Sequence, residues 1–254
     1  MSITIGWLYP DLMSTYGDRG NIITLQKRCA WRGISTNIKE ITVDDNADSM
    51  KNCDLFFMGG GEDRKQEIAS SDLIKTGKAE ILREMLENNI PGLFICGAYQ
   101  FLGQYYQPAV GERIPGLGIL DLYTINPGPE KLRCIGNIIT TTIQLRRSKL
   151  RNYTKMVGFE NHGGRTYLGK NVQPLGTIIK GFGNNGEDKT EGAIYKNTFG
   201  TYLHGPLLPK NPGFADHFLK LALQKKYQNE VKLEELDDTL EITAHDTVIK
   251  KYGH

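Results

Sequence analysis

The chain has 254 residues, with 31 Lys+Arg against 29 Asp+Glu, 39% hydrophobic and 24% charged. It lies in the ordinary globular range, which excludes disorder as a description of the whole. A net charge of +2 leaves no basic excess to neutralise a row of phosphates, and no Lys/Arg run is interleaved with aromatics, so nucleic-acid binding is excluded as its main task.

The N-terminal stretch MSITIGWLYPDLMSTYGD has no positive region ahead of an apolar one. No stretch approaches the roughly 18 uninterrupted apolar residues that cross a bilayer. A cytoplasmic protein with no membrane insertion is expected. Cys29, Cys53, Cys96 and Cys134 form no CxxC pair, so no metal site is expected and each cysteine is judged alone.

Ile3–Tyr9 is an apolar, β-rich run followed by the turn Tyr16-Gly17-Asp18-Arg19-Gly20, and Asn21–Arg32 carries Ile22, Leu25 and Cys29 at helical spacing. Ser35–Ile41 and Asp54–Met58 read as strands, the second running into Gly59-Gly60-Gly61. Asp72–Asn89 reads as an amphipathic helix and Gly92–Ile95 as a buried strand. Strands alternating with helices predict an α/β fold with a mostly parallel sheet flanked by helices, whose ligands gather beyond the strands' carboxyl ends. From Gly116 onward the chain reads as β-rich, with strands over Ile119–Ile125, Leu132–Ile143, Leu175–Lys180 and Phe199–Leu203, then a helix over Pro212–Lys225. One domain is expected over 1–227. Residues 228–254 hold seven acids against three lysines and read as an acidic tail, a solvated helix or a partner-docking segment.

The sharpest local signal is Gly92-Leu93-Phe94-Ile95-Cys96-Gly97-Ala98-Tyr99-Gln100, a strand ending on a cysteine with small residues behind it. A nucleophile on such a turn stands above the sheet, with the next backbone N–H placed to face an oxyanion. A lone cysteine after an apolar strand is more often an inert core residue, so the assignment needs a base. Gly200-Thr201-Tyr202-Leu203-His204-Gly205-Pro206 delivers a histidine from a strand into a loop, which makes His204 the expected base. His162, in Glu160-Asn161-His162-Gly163-Gly164, is the competitor. His217, His245 and His254 read as surface or core groups of a helix and the tail. The Gly59–Gly61 run offers an unobstructed backbone N–H for the second oxyanion donor.

These residues resemble class I glutamine amidotransferases of the cobyric acid synthase-like branch. More closely, they resemble the glutaminase subunits that work with a Mur-ligase-like synthetase, MurT. The resemblance is carried by Tyr16–Asn21, the Gly59–Asp63 loop, Ile95–Gln100, Gly116–Leu120, Gly158–Tyr167, Gly183–Asn185 and Gly200–Asn211. It implies Cys96 as nucleophile and His204 as base, with Gly60 or Gly61 and Gly97 lining the oxyanion hole and Arg133 holding the carboxylate of L-glutamine. Arg133 also has independent appeal, since an arginine inside an apolar strand needs a partner and its fork matches a carboxylate. Phe94 and Ala98 depart from the glycines many such enzymes carry around the cysteine. The sequence Gly164–Lys170 satisfies GxxxxGK but continues with Asn171 and reaches Pro174 instead of a helix, so it is rejected as a phosphate loop. No cofactor is therefore expected in this chain. The resemblance places ATP and Mg on the partner, which amidates the α-carboxyl of D-glutamate in the lipid II stem peptide. A corrinoid carboxylate as acceptor and a non-catalytic binding subunit are the alternatives.

The expected triad is incomplete. His204 is followed by Gly205 and Pro206, where many class I glutaminases place an acid two residues after the base, and proline cannot orient an imidazole. An Asp or Glu from the partner is the expected source, with Glu160 as the internal alternative.

Overall fold

The computed structural model describes residues 1–142 and 154–253. Ile143, the end of the strand expected over Leu132–Ile143, and His254 lie outside the described residues. The strands are β1 Ser2–Leu8, β2 Ser35–Ile41, β3 Leu55–Met58, β4 Gly92–Ile95, β5 Tyr105–Gln107, β6 Ile114–Pro115, β7 Leu122–Ile125, β8 Cys134–Thr142, β9 Lys155–His162, β10 Arg165–Leu168, β11 Gly176–Lys180, β12 Thr190–Glu191, β13 Ala193–Tyr195 and β14 Thr198–Thr201. The α-helices are α1 Arg19–Ala30, α2 Asp63–Lys75, α3 Lys78–Glu87, α4 Gly97–Phe101, α5 Pro212–Tyr227 and α6 Thr239–Tyr252.

The central sheet has six strands in the order β13-β14-β4-β3-β1-β2. All neighbours are parallel except the antiparallel edge strand β13. The strands β3 and β4 are buried along their whole length, as the continuous apolar runs Leu55–Met58 and Gly92–Ile95 require of strands covered on both faces. The carboxyl ends of β1, β3, β4 and β14 therefore deliver their loops to one edge of the sheet, where an open α/β sheet binds its ligands.

Two smaller sheets form the second half. One is ordered β10-β7-β5-β6 and the other, fully antiparallel, is ordered β12-β11-β8-β9. The expected strand from Ile119 begins only at Leu122, because the N–H groups of Ile119 and Leu120 are both donated to the Leu102 carbonyl. The helix expected over Asp72–Asn89 is two helices, parted at Gly77 with φ +75°, a conformation glycine adopts without strain.

Residues 228–253 are fastened to the body. Val231 is buried, and Asp238 accepts from Arg28 Nη1 at 2.6 Å. Arg28 is itself buried and also donates to Asp216 on α5 through Nε and Nη2, at 2.6 and 2.8 Å. From this anchor α6 runs against β8 and β9, where His245 Nε2 lies 3.2 Å from the Lys155 carbonyl. No helix among the described residues is long and apolar enough to cross a membrane.

Candidate active site

The backbone at Cys96 turns sharply, with φ +53° and ψ −107°, outside the regions open to L-residues without strain. The turn is held on both sides: Cys96 donates its N–H to Thr201 on β14 at 2.8 Å, and its carbonyl accepts from Gln100 N–H at 2.9 Å. The thiol opens onto a cavity of about 530 Å³, whose wall also includes Tyr16, Gly61, Gln66, Gln100, Arg133 and His162. The other three cysteines lie in the interior, where burial pushes the thiols of Cys29, Cys53 and Cys134 up to about 11.

His204 follows β14, the strand paired with the one that ends at Cys96. Its backbone is clamped by a two-way bridge to Phe159 of β9, at 2.8 and 3.1 Å, and its ring is fully buried. A methyl group on Gly60 would fall 2.8 Å from His204 Cε1 and 3.3 Å from Cys96 Cβ. Gly60 thus lies against both residues, and only glycine leaves them room.

The acid missing from the sequence reading is Asp18. Its Oδ1 lies 3.2 Å from His204 Nδ1, with both side chains completely buried. In this chain the place beside Nδ1 is filled from the loop after β1, by an acid that was expected neither as the partner's nor as Glu160. Glu160 does not serve either. It accepts the backbone N–H groups of Phe182 and Gly183, at 2.7 and 2.9 Å, on the far side of His162. Asp18 reaches His204 because α1 starts against the loop that follows the histidine. A methyl group on Gly20 would lie 2.4 Å from Pro206 Cγ, and the Asn21 carboxamide accepts from Leu208 N–H at 2.8 Å.

Burial opposes a charge on His204, but the Cys96 sulfur and then Asp18 outweigh it and raise the imidazole to about 10. With Nδ1–H directed at Asp18, Nε2 is left for the Cys96 thiol. Tyr16 packs edge-on against the ring at 5.1 Å and its hydroxyl accepts from Asn161 at 3.0 Å.

The Gly59–Gly61 loop is fixed peptide by peptide. Gly60 N–H is donated to Asp18 Oδ2 at 2.8 Å, the Gly60 carbonyl accepts from Thr15 N–H at 3.0 Å, and the Gly61 carbonyl accepts from Gln66 Nε2 at 3.0 Å. Gly60 is therefore corrected as an oxyanion donor, because its N–H is already used. In a planar peptide a carbonyl held by Thr15 turns the next N–H, that of Gly61, the opposite way. Gly97, behind the thiol, has no room for a side chain, since a methyl there would collide with Gln66.

Arg133 does not sit inside a strand as expected. It precedes β8, is exposed, and lines the cavity with Cys96. Its Nε and Nη2 donate to the Asn161 side chain at 3.1 and 3.0 Å. Among the described residues it has no acidic partner, so its positive charge is turned to the cavity unpaired.

His162, the rival base, is a wall of the site. Its ring stacks on Tyr202 with centroids 3.6 Å apart, its Nδ1 donates to the Gly164 carbonyl at 2.8 Å, and burial lowers its affinity for a proton. Among the described residues no group of three or more His, Cys, Asp and Glu side chains is placed to hold a metal ion.

A cysteine on a strained turn, a buried imidazole oriented by a carboxylate, and a locked glycine loop form an acyl-transfer constellation. Residues 4–212 match the CobB/CobQ-like glutamine amidotransferase domain. The chain belongs to the CobB/CobQ-like glutamine amidotransferase family. This amidotransferase is 41% identical to the Staphylococcus aureus lipid II isoglutaminyl synthase (glutamine-hydrolyzing) subunit GatD, over 98% of its own length and 96% of that protein. It is 39% identical to the subunit of the same name from Streptococcus pneumoniae, over 94% and 87%. A crystal structure of a glutamine amidotransferase superposes with a TM-score of 0.58 at 14% identity, covering 86% of this chain and 98% of that one. The α/β architecture with its strand-rich second half is thus a class I amidotransferase fold.

Proposed function

We propose that the chain is the glutamine-hydrolysing subunit of a lipid II isoglutaminyl synthase. The observation that carries the chemistry is the buried pair of His204 and Asp18 beside the strained turn of Cys96. In this reading His204 Nε2 already holds the thiol proton, in keeping with its raised proton affinity, and the Cys96 sulfur attacks the side-chain carboxamide carbon of L-glutamine. The C=O electron pair moves to oxygen, where the N–H groups of Gly61 and Gly97 receive it. Collapse breaks the C–N bond, His204 returns its proton to the departing nitrogen, and ammonia leaves. Water, activated by the same imidazole, then cleaves the thioester to glutamate. Asp18 holds the ring with Nε2 toward the thiol throughout and favours its charged form. Arg133, unpaired at the cavity wall, receives the substrate's α-carboxylate through charge-assisted hydrogen bonds.

The acceptor of the ammonia follows from the relatives. Two subunits bearing the lipid II name match nearly the full chain. A probable cobyric acid synthase from Methanothermobacter thermautotrophicus matches at 33% over only 38% of its own length, which sets a corrinoid acceptor behind the peptidoglycan one. The partner of this reading is a cytoplasmic, Mur-ligase-like synthetase that binds ATP and Mg and activates the D-glutamate carboxyl. Co-expression with that synthetase from the same genome, followed by supply of lipid II, ATP, Mg and L-glutamine, should yield amidated lipid II. Glutamine hydrolysis without amidation of lipid II by any such pair would refute the acceptor while leaving the glutaminase intact.

A further inference from the structure

Gln66 has no part in the chemistry above, yet it stands at its centre. It projects from α2 into the space between the Gly59–Gly61 loop and the Cys96 turn, 3% exposed, on the wall of the same cavity as Cys96. Its two amide atoms have different fates. Nε2 donates to the Gly61 carbonyl at 3.0 Å and lies 3.5 Å from Gln100 Oε1. Oε1 is buried and has no hydrogen-bond partner among the described residues. The donation to a carbonyl fixes which amide atom is nitrogen, so the orphan is an acceptor.

A buried acceptor without a donor costs free energy unless something supplies one. The side chain rests on Gly97, where an added methyl would lie 1.9 Å from Nε2, and Gly97 adjoins Cys96. That is the reacting end of the cavity, and the substrate group carrying N–H donors at that end is the carboxamide. Arg133, hydrogen-bonded to Asn161 on the cavity wall, is suited to the α-carboxylate.

We propose that Gln66 is a substrate-positioning and specificity-determining residue, whose Oε1 accepts an N–H of the glutamine carboxamide while its Nε2 braces the Gly61 peptide. This inference rests on the glutaminase reading. Holding one N–H turns the nitrogen so that, once the carbon becomes tetrahedral, its lone pair can receive the proton from His204. It also selects an amide over a γ-ester or γ-carboxylate, neither of which offers a donor there. Discrimination through an unfilled buried hydrogen bond is the strong form of specificity.

The test uses the chain with its synthetase partner and two substrates, L-glutamine and the γ-methyl ester of L-glutamate, which share the α-end and the carbonyl but differ in the N–H. Gln66→Met should lower kcat/KM for glutamine by roughly 5- to 100-fold. Turnover of the ester, which registers only the lost brace to Gly61, should fall by clearly less than that of glutamine. Gln66→Glu keeps an acceptor and loses the donor to Gly61, so it should retain the preference for amide over ester better than Gln66→Met does. Ester turnover also reports that each variant is folded. Parallel loss of both substrates, or equal loss of preference in the Glu and Met variants, would show that Gln66 only braces the loop and would overturn the proposal. Failure of the wild-type complex to turn over either substrate would overturn the glutaminase reading and this inference with it.

Discussion

Asp18 does two tasks with one carboxylate. Oδ1 orients His204, and Oδ2 holds Gly60 N–H, so the base and the glycine loop share an anchor. An asparagine there can accept only one of the two hydrogen bonds and carries no charge. Asp18→Asn should lower kcat by at least about 10-fold, towards the roughly 10⁴-fold loss known when the acid of a Ser-His-Asp enzyme is amidated. The pH dependence follows from the raised imidazole. A histidine held at about 10 against an ordinary 6.5 contributes stability that is fully present below pH 6.5 and lost as pH rises through 10. The imidazolium paired with the Cys96 sulfur is also the active form, so the wild-type basic limb should fall near pH 10, and that of Asp18→Asn should fall at lower pH. A kcat/KM profile from pH 6 to 10.5 checks both, and superimposable basic limbs would contradict the coupling. Arg133 is argued from its unpaired charge at the cavity. Arg133→Lys, which loses the fork, should cost about 1.5 to 3 kcal/mol in kcat/KM for glutamine, or roughly 10- to 150-fold. Steady-state kinetics and a thermal melt separate this from a structural role, since the melting temperature should stay within a degree or two. Cys96, His204 and Arg133, the residues the proposed chemistry uses, were legible as strand-end punctuation or as a resemblance. Asp18 was not, because its partner lies 186 residues away and no acid stands beside the histidine in sequence. Gln66 was illegible for the same reason, as its role is set by what packs against it.

At the scale of elements, the site depends on β14 lying parallel to β4. One buried carboxyl supports that strand from behind: Glu191 of β12 accepts from Thr201 Oγ1 and from Tyr202 N–H, both at 2.8 Å. Burial raises its carboxyl to about 8, so it is neutral in the folded protein at pH 7 and ionised in the unfolded chain. The native state then binds the extra proton, and stability must fall as pH rises from about 4.5 to 8. Glu191→Gln keeps an acceptor and cannot ionise. Its melting temperature relative to wild type should therefore rise between pH 5 and pH 8 in differential scanning fluorimetry, and a difference independent of pH would contradict the buried neutral carboxyl. The strands Ser35–Ile41 and Gly92–Ile95 were read with the bounds the structure has, because each is a continuous run ended by turn residues. The helices were read less well. Gly77 splits what amphipathic spacing joined, most of α2 precedes the helix expected from Asp72, and α6 forms within the segment read as an acidic tail or a solvated helix.

The whole molecule is an α/β body whose catalytic edge is built from four strand ends and walled by the second half of the chain. The parallel sheet and the β-rich half were legible from alternation and from glycine punctuation. The way the wall folds over the edge was not, since it rests on the pairing of Phe159 with His204 between segments that sequence alone does not bring together. The acidic segment beyond residue 227 is strapped to α1 and α5 by the Arg28–Asp216–Asp238 network, where its charge suggested a solvated end. The central claim is that Cys96, on the strained turn beside the His204–Asp18 pair, is the nucleophile. The most direct measurement is glutamate formation from L-glutamine by the purified complex with its synthetase, for wild type, Cys96→Ala and Cys134→Ala. A glutamine-mimicking diazo-ketone is mapped by peptide mass in the same samples. The account predicts that Cys96→Ala is inactive, that Cys134→Ala is close to wild type, and that the adduct is confined to the Cys96 peptide. Turnover surviving in Cys96→Ala, or an adduct on Cys29, Cys53 or Cys134, would contradict it.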